Sequence, residues 1–288
     1  MLALRPSLRE IGVVDSSVSN QRAHLVDGHV HFHACFDVET FLEGAVRNFR
    51  GGATELGLPP PTRGVLLFTE AEGDEYFKAF RDGDGFLPAP WRSSRTGESH
   101  SVITRAGGER ELLLIAGRQL VTREGLEVLA IGHADVPKAN QTLLETVENV
   151  LASGALAIIP WGFGKWWFAR GALVADLLDS MKGSEVYLGD NGGRARLSFT
   201  PRLFAWAESE GVLVLPGSDP LPFRSQAGRA GRYGFLLEGP LDYERPAESL
   251  KRLIRGLGSQ PLRYGQREGI FAFAYSQLRM QLRKRGWS

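Results

Sequence analysis

Three histidines occupy alternate positions in Asp27-Gly28-His29-Val30-His31-Phe32-His33, directly after the apolar pair Leu25-Val26. Along an extended chain every second side chain shares a face. His29, His31 and His33 are therefore expected together at the carboxyl end of a short buried strand. Neutral imidazole is the commonest protein ligand of zinc and similar ions, and a His-x-His pair sets two of them side by side with little backbone strain. The same spacing also occurs in ordinary histidines at a strand end, so the rest of the chain must decide. The groups that could join them lie in glycine-flanked polar stretches: Glu70 and Glu72 after Thr69; Gln119, Glu124, Glu127 and His133; Lys165 inside Trp161-Gly162-Phe163-Gly164-Lys165-Trp166-Trp167; Asp190-Asn191-Gly192-Gly193-Arg194; and Gly217-Ser218-Asp219.

The elements that must position these residues are legible from periodicity. Val38, Phe41, Leu42, Ala45, Val46 and Phe49 fall on one helical face, closed by Gly51-Gly52. Residues 64–69 read as a second buried strand, and 74–80 as a short helix with Tyr76, Phe77 and Phe80 inward. Between 83 and 134, short alternating runs at 101–104, 112–116, 119–122 and 126–131 are separated by glycine turns, Gly107-Gly108 among them. They predict an antiparallel meander. Residues 82–95, rich in glycine, proline and arginine, are expected to form a mobile loop.

Strand and helix patterns then alternate. Leu143, Leu144, Val147, Val150 and Leu151 precede a strand at 155–160, and Leu173, Leu177, Leu178 and Met181 precede one at 185–188. Thr200-Pro201 reads as a helix start with Thr200 as N-cap, followed by a strand at 212–215. Two more helix faces follow, Leu250/Leu253/Ile254/Leu257 and Phe271/Ala274/Tyr275/Leu278/Leu282. The Arg283-Lys284-Arg285 cluster complements the last helix's dipole. Such alternation implies a mostly parallel sheet with helices outside it, and ligands then gather at the carboxyl ends of the strands.

Composition narrows the class. A chain of 288 residues, 43% hydrophobic, can bury a large core. Its formal net charge of +1 predicts neither nucleic acid nor a membrane as partner. The single cysteine, Cys35, allows no internal disulfide, no stretch holds the ~20 apolar residues of a membrane span, and no leader is apparent in residues 1–20. A cytoplasmic protein is expected.

Asp27-Gly28-His29-Val30-His31 near one end and Gly217-Ser218-Asp219 near the other, taken together, resemble the PHP superfamily of polymerase and histidinol phosphatase metal-dependent phosphoesterases. The resemblance covers roughly residues 23–260. It implies a distorted barrel of about seven strands whose ends carry His and Asp/Glu ligands for two or three divalent metals. Several expected ligands are replaced here. Thr69-Glu70-Ala71 keeps a carboxylate but no histidine, Gly117-Arg118-Gln119 has an amide for a bridging carboxylate, and Glu127 stands near an expected histidine. Ile159-Pro160-Trp161 lacks its histidine, and Asp219-Pro220-Leu221 ends in leucine.

What remains is His29, His31 and Asp219, enough for a single zinc, manganese or iron ion with open positions. The expected fold is α/β, a distorted (β/α)7-type PHP barrel over residues 23–265, with an antiparallel insertion at 83–134. An extension at 1–22 precedes it, and a C-terminal helix at 266–288 packs on it. The expected function is a divergent metal-dependent hydrolase acting on a phosphoester or related anionic small molecule. In it Asp190 or Glu70 is the general base, and Lys165 and Arg194 hold the anionic group. A catalytically silent scaffold that binds a ligand or a partner protein is the alternative; an amidohydrolase-type barrel fits less well because the middle strands supply no histidines. Plainer roles stay open at the same residues. Asp27 orients a ligand histidine or caps a turn, 190–193 forms a simple turn, the tryptophans pack, and Gln119, Glu124 and Glu127 form a solvated face.

Overall fold

The computed structural model describes residues 23–59, 63–108, 110–133, 140–196 and 200–284. The extension expected at 1–22 and Arg285 of the basic cluster lie outside them. The chain begins with β1 (Ala23–Val30), α1 (Val38–Glu55), β2 (Arg63–Phe68) and α2 (Tyr76–Asp82). Five strands follow: β3 (Arg92–Arg95), β4 (Ser101–Arg105), β5 (Glu111–Ile115), β6 (Gly117–Val121) and β7 (Glu127–Ile131). Alternation then sets in with α3 (Leu143–Ala152), β8 (Leu156–Pro160), α4 (Ala169–Ser180), β9 (Val186–Asn191), α5 (Arg202–Ser209) and β10 (Val214–Gly217). A 3-10 turn at Arg224–Arg229 leads to β11 (Tyr233–Glu238), α6 (Pro246–Arg255), β12 (Arg263–Gly265) and α7 (Ile270–Lys284).

The strands form two sheets rather than a closed barrel. One has seven strands in the order β12-β11-β1-β2-β5-β4-β3, the other five in the order β10-β9-β8-β7-β6. The two sheets meet past the ends of β2 and β10. Glu70 forms an isolated parallel bridge with Arg118, and the Asp219 N–H donates to the His29 carbonyl at 2.8 Å. At this junction β1 shifts register between Asp27 and Val30, and β10 is four residues long. The meander is not an insertion. β5 lies parallel to β2 in the first sheet, while β6 and β7 begin the second.

Strand side chains alternate between layers, which explains the near-continuous apolar runs. Val65, Leu67, Leu113 and Ile115 meet Leu129, Ile131, Ile158 and Leu215 between the sheets, with α6 at one side. Leu66, Phe68, Leu112 and Leu114 pack outward under α1 and α2, in a cluster rich in phenylalanine. Val128, Ala157, Ile159, Leu188 and Val214 pack outward under α3, α4 and α5.

Several local expectations change. Gly51-Gly52 does not end α1, which runs on to Glu55; Gly52 packs so closely on Tyr264 that a Cβ would lie 2.5 Å from its ring. The segment 82–95 ends in a strand, and Trp91 before it is buried with its indole N–H donating to Glu43. Pro201, not Thr200, is the residue before α5. The start of α3 carries an unforeseen capping box, in which Thr142 and Glu145 satisfy each other's backbone N–H groups. The stripe Phe271/Tyr275/Leu278 of α7 faces outward, while Phe273 packs on Phe163 and Ser276 is buried. No helix among the described residues is long and apolar enough to cross a membrane.

Candidate metal centre

The last residues of β1 and the turn after β10 build one cluster. His29 and His31 present their Nε2 atoms 3.0 Å apart, and each lies 3.6 Å from the same oxygen, Asp219 Oδ1. Gly217 permits this approach, since a Cβ there would lie 2.3 Å from the His29 nitrogen. Asp219 takes a positive φ of 45°, a conformation Asp tolerates better than most residues. Its backbone is fixed to His29, and its second oxygen accepts from the Asn191 amide.

Behind the cluster, the buried Asp27 carboxylate accepts from the His29, Ser218 and Gly231 N–H groups and from the Ser218 hydroxyl. It ties β1 to the turn that carries Asp219 through backbone groups, and no hydrogen bond runs from it to an imidazole ring. Burial pushes its carboxyl up to about 6 against those hydrogen bonds.

The protonation states suit a cation. Burial, followed by the charge of His29, pushes His31 down to about 3, so its ring is neutral. Burial alone would raise Asp219, but His29, His31 and the Asn191 amide outweigh it and hold the carboxyl below its ordinary value. Neutral imidazole and ionised carboxylate are the forms that bind metal. Two ligands on bonds of 2.0–2.1 Å at a tetrahedral angle sit about 3.3 Å apart, and the observed 3.0 and 3.6 Å bracket that spacing. The three residues can hold a divalent ion, and three protein ligands leave a position open.

The other expected site residues are placed differently. The Glu70 bridge with Arg118 turns both side chains to the same side, and Gln119, one residue on, to the other. Glu70 accepts from the Phe77 N–H at 2.7 Å, pairs with Arg118 at 3.3 Å, and lines a cavity of about 160 Å³ with Lys78, Arg81 and His133. Asp190 follows Leu188 onto the outer face of β9, while Asn191 follows Tyr187 inward. Asp190 forms a two-point ion pair with Arg194, at 2.8 and 2.9 Å, and accepts from the Tyr233 hydroxyl. Glu70, Asp190 and Arg194 are thus each engaged by groups other than the imidazoles. Lys165 bonds Glu127 at 2.9 Å, and Glu127 lies 3.5 Å from Gln119, whose amide hydrogen-bonds His31. Lys165 thus stands at the rim of the cluster with its charge matched.

Gln119 and Glu127 are not a solvated face; each lies on the same side of its strand as Leu129. His33 stacks on His31 but donates to the Pro220 carbonyl at 2.9 Å. Sequence reasoning missed Asn191, reading 190–193 as a turn, although β9 runs through Asn191. Trp166 packs edge-on against Phe204, and Trp161 lies beneath Arg194.

A mixed α/β fold of two sheets with a His-His-Asp centre at their junction is the class these observations define. No family model and no curated protein matches the sequence. Solved structures do match in fold. PsfC from Pseudomonas syringae PB-5123 is 14% identical with a TM-score of 0.53, over 91% of this chain and 99% of that one. The lesion-specific endonuclease PfuEndoQ from Pyrococcus furiosus is 13% identical with a TM-score of 0.50, over 82% of this chain and 56% of that one. This likeness corrects one expectation. The near-zero net charge predicts no nucleic-acid partner, yet a lesion-specific endonuclease shares the fold, so that expectation does not stand.

Proposed function

We propose that the chain is a divergent PHP-type metal-dependent hydrolase acting on a phosphoester or related anionic group through one divalent ion, zinc, manganese or iron, held by His29, His31 and Asp219. The observation that carries this reading is the convergence of three donor atoms, two on buried imidazoles and one on the part-buried Asp219, at the strand ends. A fold shared with a lesion-specific endonuclease supports it, and nucleic-acid phosphodiesters are included in the substrate class proposed. A bound ion would act as a Lewis acid on a phosphoryl or carbonyl oxygen. The chain's own part is to hold the ligands. Asn191 occupies Asp219 Oδ2 and leaves Oδ1 to the imidazoles, Gln119 orients His31, and Asp27 locks the two segments together. Lys165, at the rim, is the cation nearest in role to an anion holder; an incoming anionic group would compete with Glu127 for it.

A second reading, a catalytically inactive scaffold that binds a ligand or partner, is favoured by the engagement of Glu70 and Asp190 elsewhere, which leaves the cluster without either expected base. One assay separates the two. Protein reconstituted with zinc or manganese is offered a chromogenic phosphomonoester, a phosphodiester and lesion-containing DNA, with Asp219→Asn as control. Metal-dependent turnover that falls roughly 100-fold in the variant supports the hydrolase. Metal binding without turnover on any of the three supports the scaffold.

A further inference from the structure

The face of α7 that leaves the protein is apolar along its length. Phe271 is 89% exposed, Tyr275 61% and Leu278 58%, with Ile270 half exposed beside them. Such a stripe on a helix normally faces a core. Here the helix has docked by its other side. At its edge the Arg279 guanidinium lies 4.0 Å over the Phe223 ring and 5.6 Å from the Tyr275 ring, and Arg283 donates to the Pro222 carbonyl. Ile270, Phe271, Ala274, Tyr275, Leu278 and Leu282 are themselves uncharged, with Arg279 beside Tyr275 at the edge of the stripe. It continues into Phe163 and Trp167, both about half exposed, since Phe163 touches Trp167 and Phe273 alike.

We propose that this face is the interface of a two-fold homodimer. Aromatic side chains cover ~150–250 Å² each, and these exposures together amount to roughly 700 Å². A stable dimer of standard size buries about 800 Å² on each partner, whereas exposed apolar patches on a monomer usually stop at a few hundred. Across a two-fold axis each group meets its own counterpart, so a cation near the axis would oppose pairing. The stripe residues themselves are uncharged, and Arg279 and Arg283 are engaged by the Phe223 ring and the Pro222 carbonyl. Ile270, Ala274, Leu278 and Leu282 form one ridge of i, i+4 neighbours, the kind that interdigitates with its like. An antiparallel pairing about Ser276 sets Ala274 opposite Leu278 of the second copy and Ile270 opposite Leu282, small against large or large against large, with no clash of charge.

The test is sedimentation equilibrium of the full chain beside Leu278→Glu and Tyr275→Asp. Both positions are exposed, so the variants keep the parent's far-ultraviolet circular dichroism. The expected result is a dimeric parent whose dissociation constant rises roughly 30-fold or more in each variant. A parent that is monomeric at every concentration overturns the proposal, whether another protein covers the face or it stays bare. So does a dimer that both variants leave unchanged, since the contact would then lie elsewhere.

Discussion

Asp27 and Ser218 stand 191 residues apart in the chain, and the Asp27 carboxylate takes both the backbone N–H of Ser218, at 2.8 Å, and its hydroxyl, at 2.5 Å. With the bonds from His29 and Gly231, one carboxylate fixes the backbone on both sides of the metal ligands. Asp27→Asn keeps the volume but replaces one acceptor oxygen with a donor that faces other donors. Such a buried mismatch costs about 1–3 kcal/mol. Urea unfolding should show a loss of that order, and metal titration an affinity weaker by roughly 10–100-fold.

The buried Asp190 and Arg194 pair supports the outer face of β9 and not the metal cluster. Both side chains are almost fully buried, so Arg194→Met leaves Asp190 with the Tyr233 hydroxyl and the more distant Arg263, at 3.9 Å. Breaking such a pair from one side costs about 3–5 kcal/mol. Thermal unfolding should register that loss while the folded variant keeps the parent's metal content. A variant with normal stability and lost metal would put Arg194 in the site after all.

His24 supplies a pH dependence distant from the metal ligands. Burial pushes it down to about 4, helped by the charge of Arg63 and opposed by its bond to the Gly239 carbonyl, while its Nδ1 has no partner. The folded imidazole refuses a proton that the unfolded chain accepts near 6.5. Its contribution is therefore complete above about 6.5 and is lost as pH falls toward about 4, a change on the order of 3 kcal/mol. His24→Gln keeps a donor for Gly239 and removes the titration. Denaturation midpoints measured across that window should fall less steeply for the variant than for the parent.

The parts of the fold that follow from local pattern were legible in the residues themselves. The face Phe41/Leu42/Ala45/Phe49 marks α1, the apolar runs mark β2, β8 and β10, and the His-x-His spacing with Asp219 marks the three residues that could hold a metal. What depended on pairing between distant segments was not. Nothing in 101–131 says that β5 joins one sheet and β6 the other, because that choice is made by β2 and β8. Alternation makes Asp190 and Asn191 face opposite ways, but only the placement of β9 between β8 and β10 decides which faces Asp219. Glu70 was lost to the site for the same reason, as its bridge with Arg118 sets its side. The apolar stripe of α7 is legible as a stripe, but helical periodicity does not say what covers a face.

The most direct test of the metal centre is elemental analysis of the full chain purified without chelator, with His31→Ala and Asp219→Asn purified alongside. The account predicts about one divalent ion per chain in the parent and none in either variant, all three keeping the parent's circular dichroism. A parent free of metal even after incubation with zinc, manganese or iron(II), or variants that retain the ion undiminished, would contradict it.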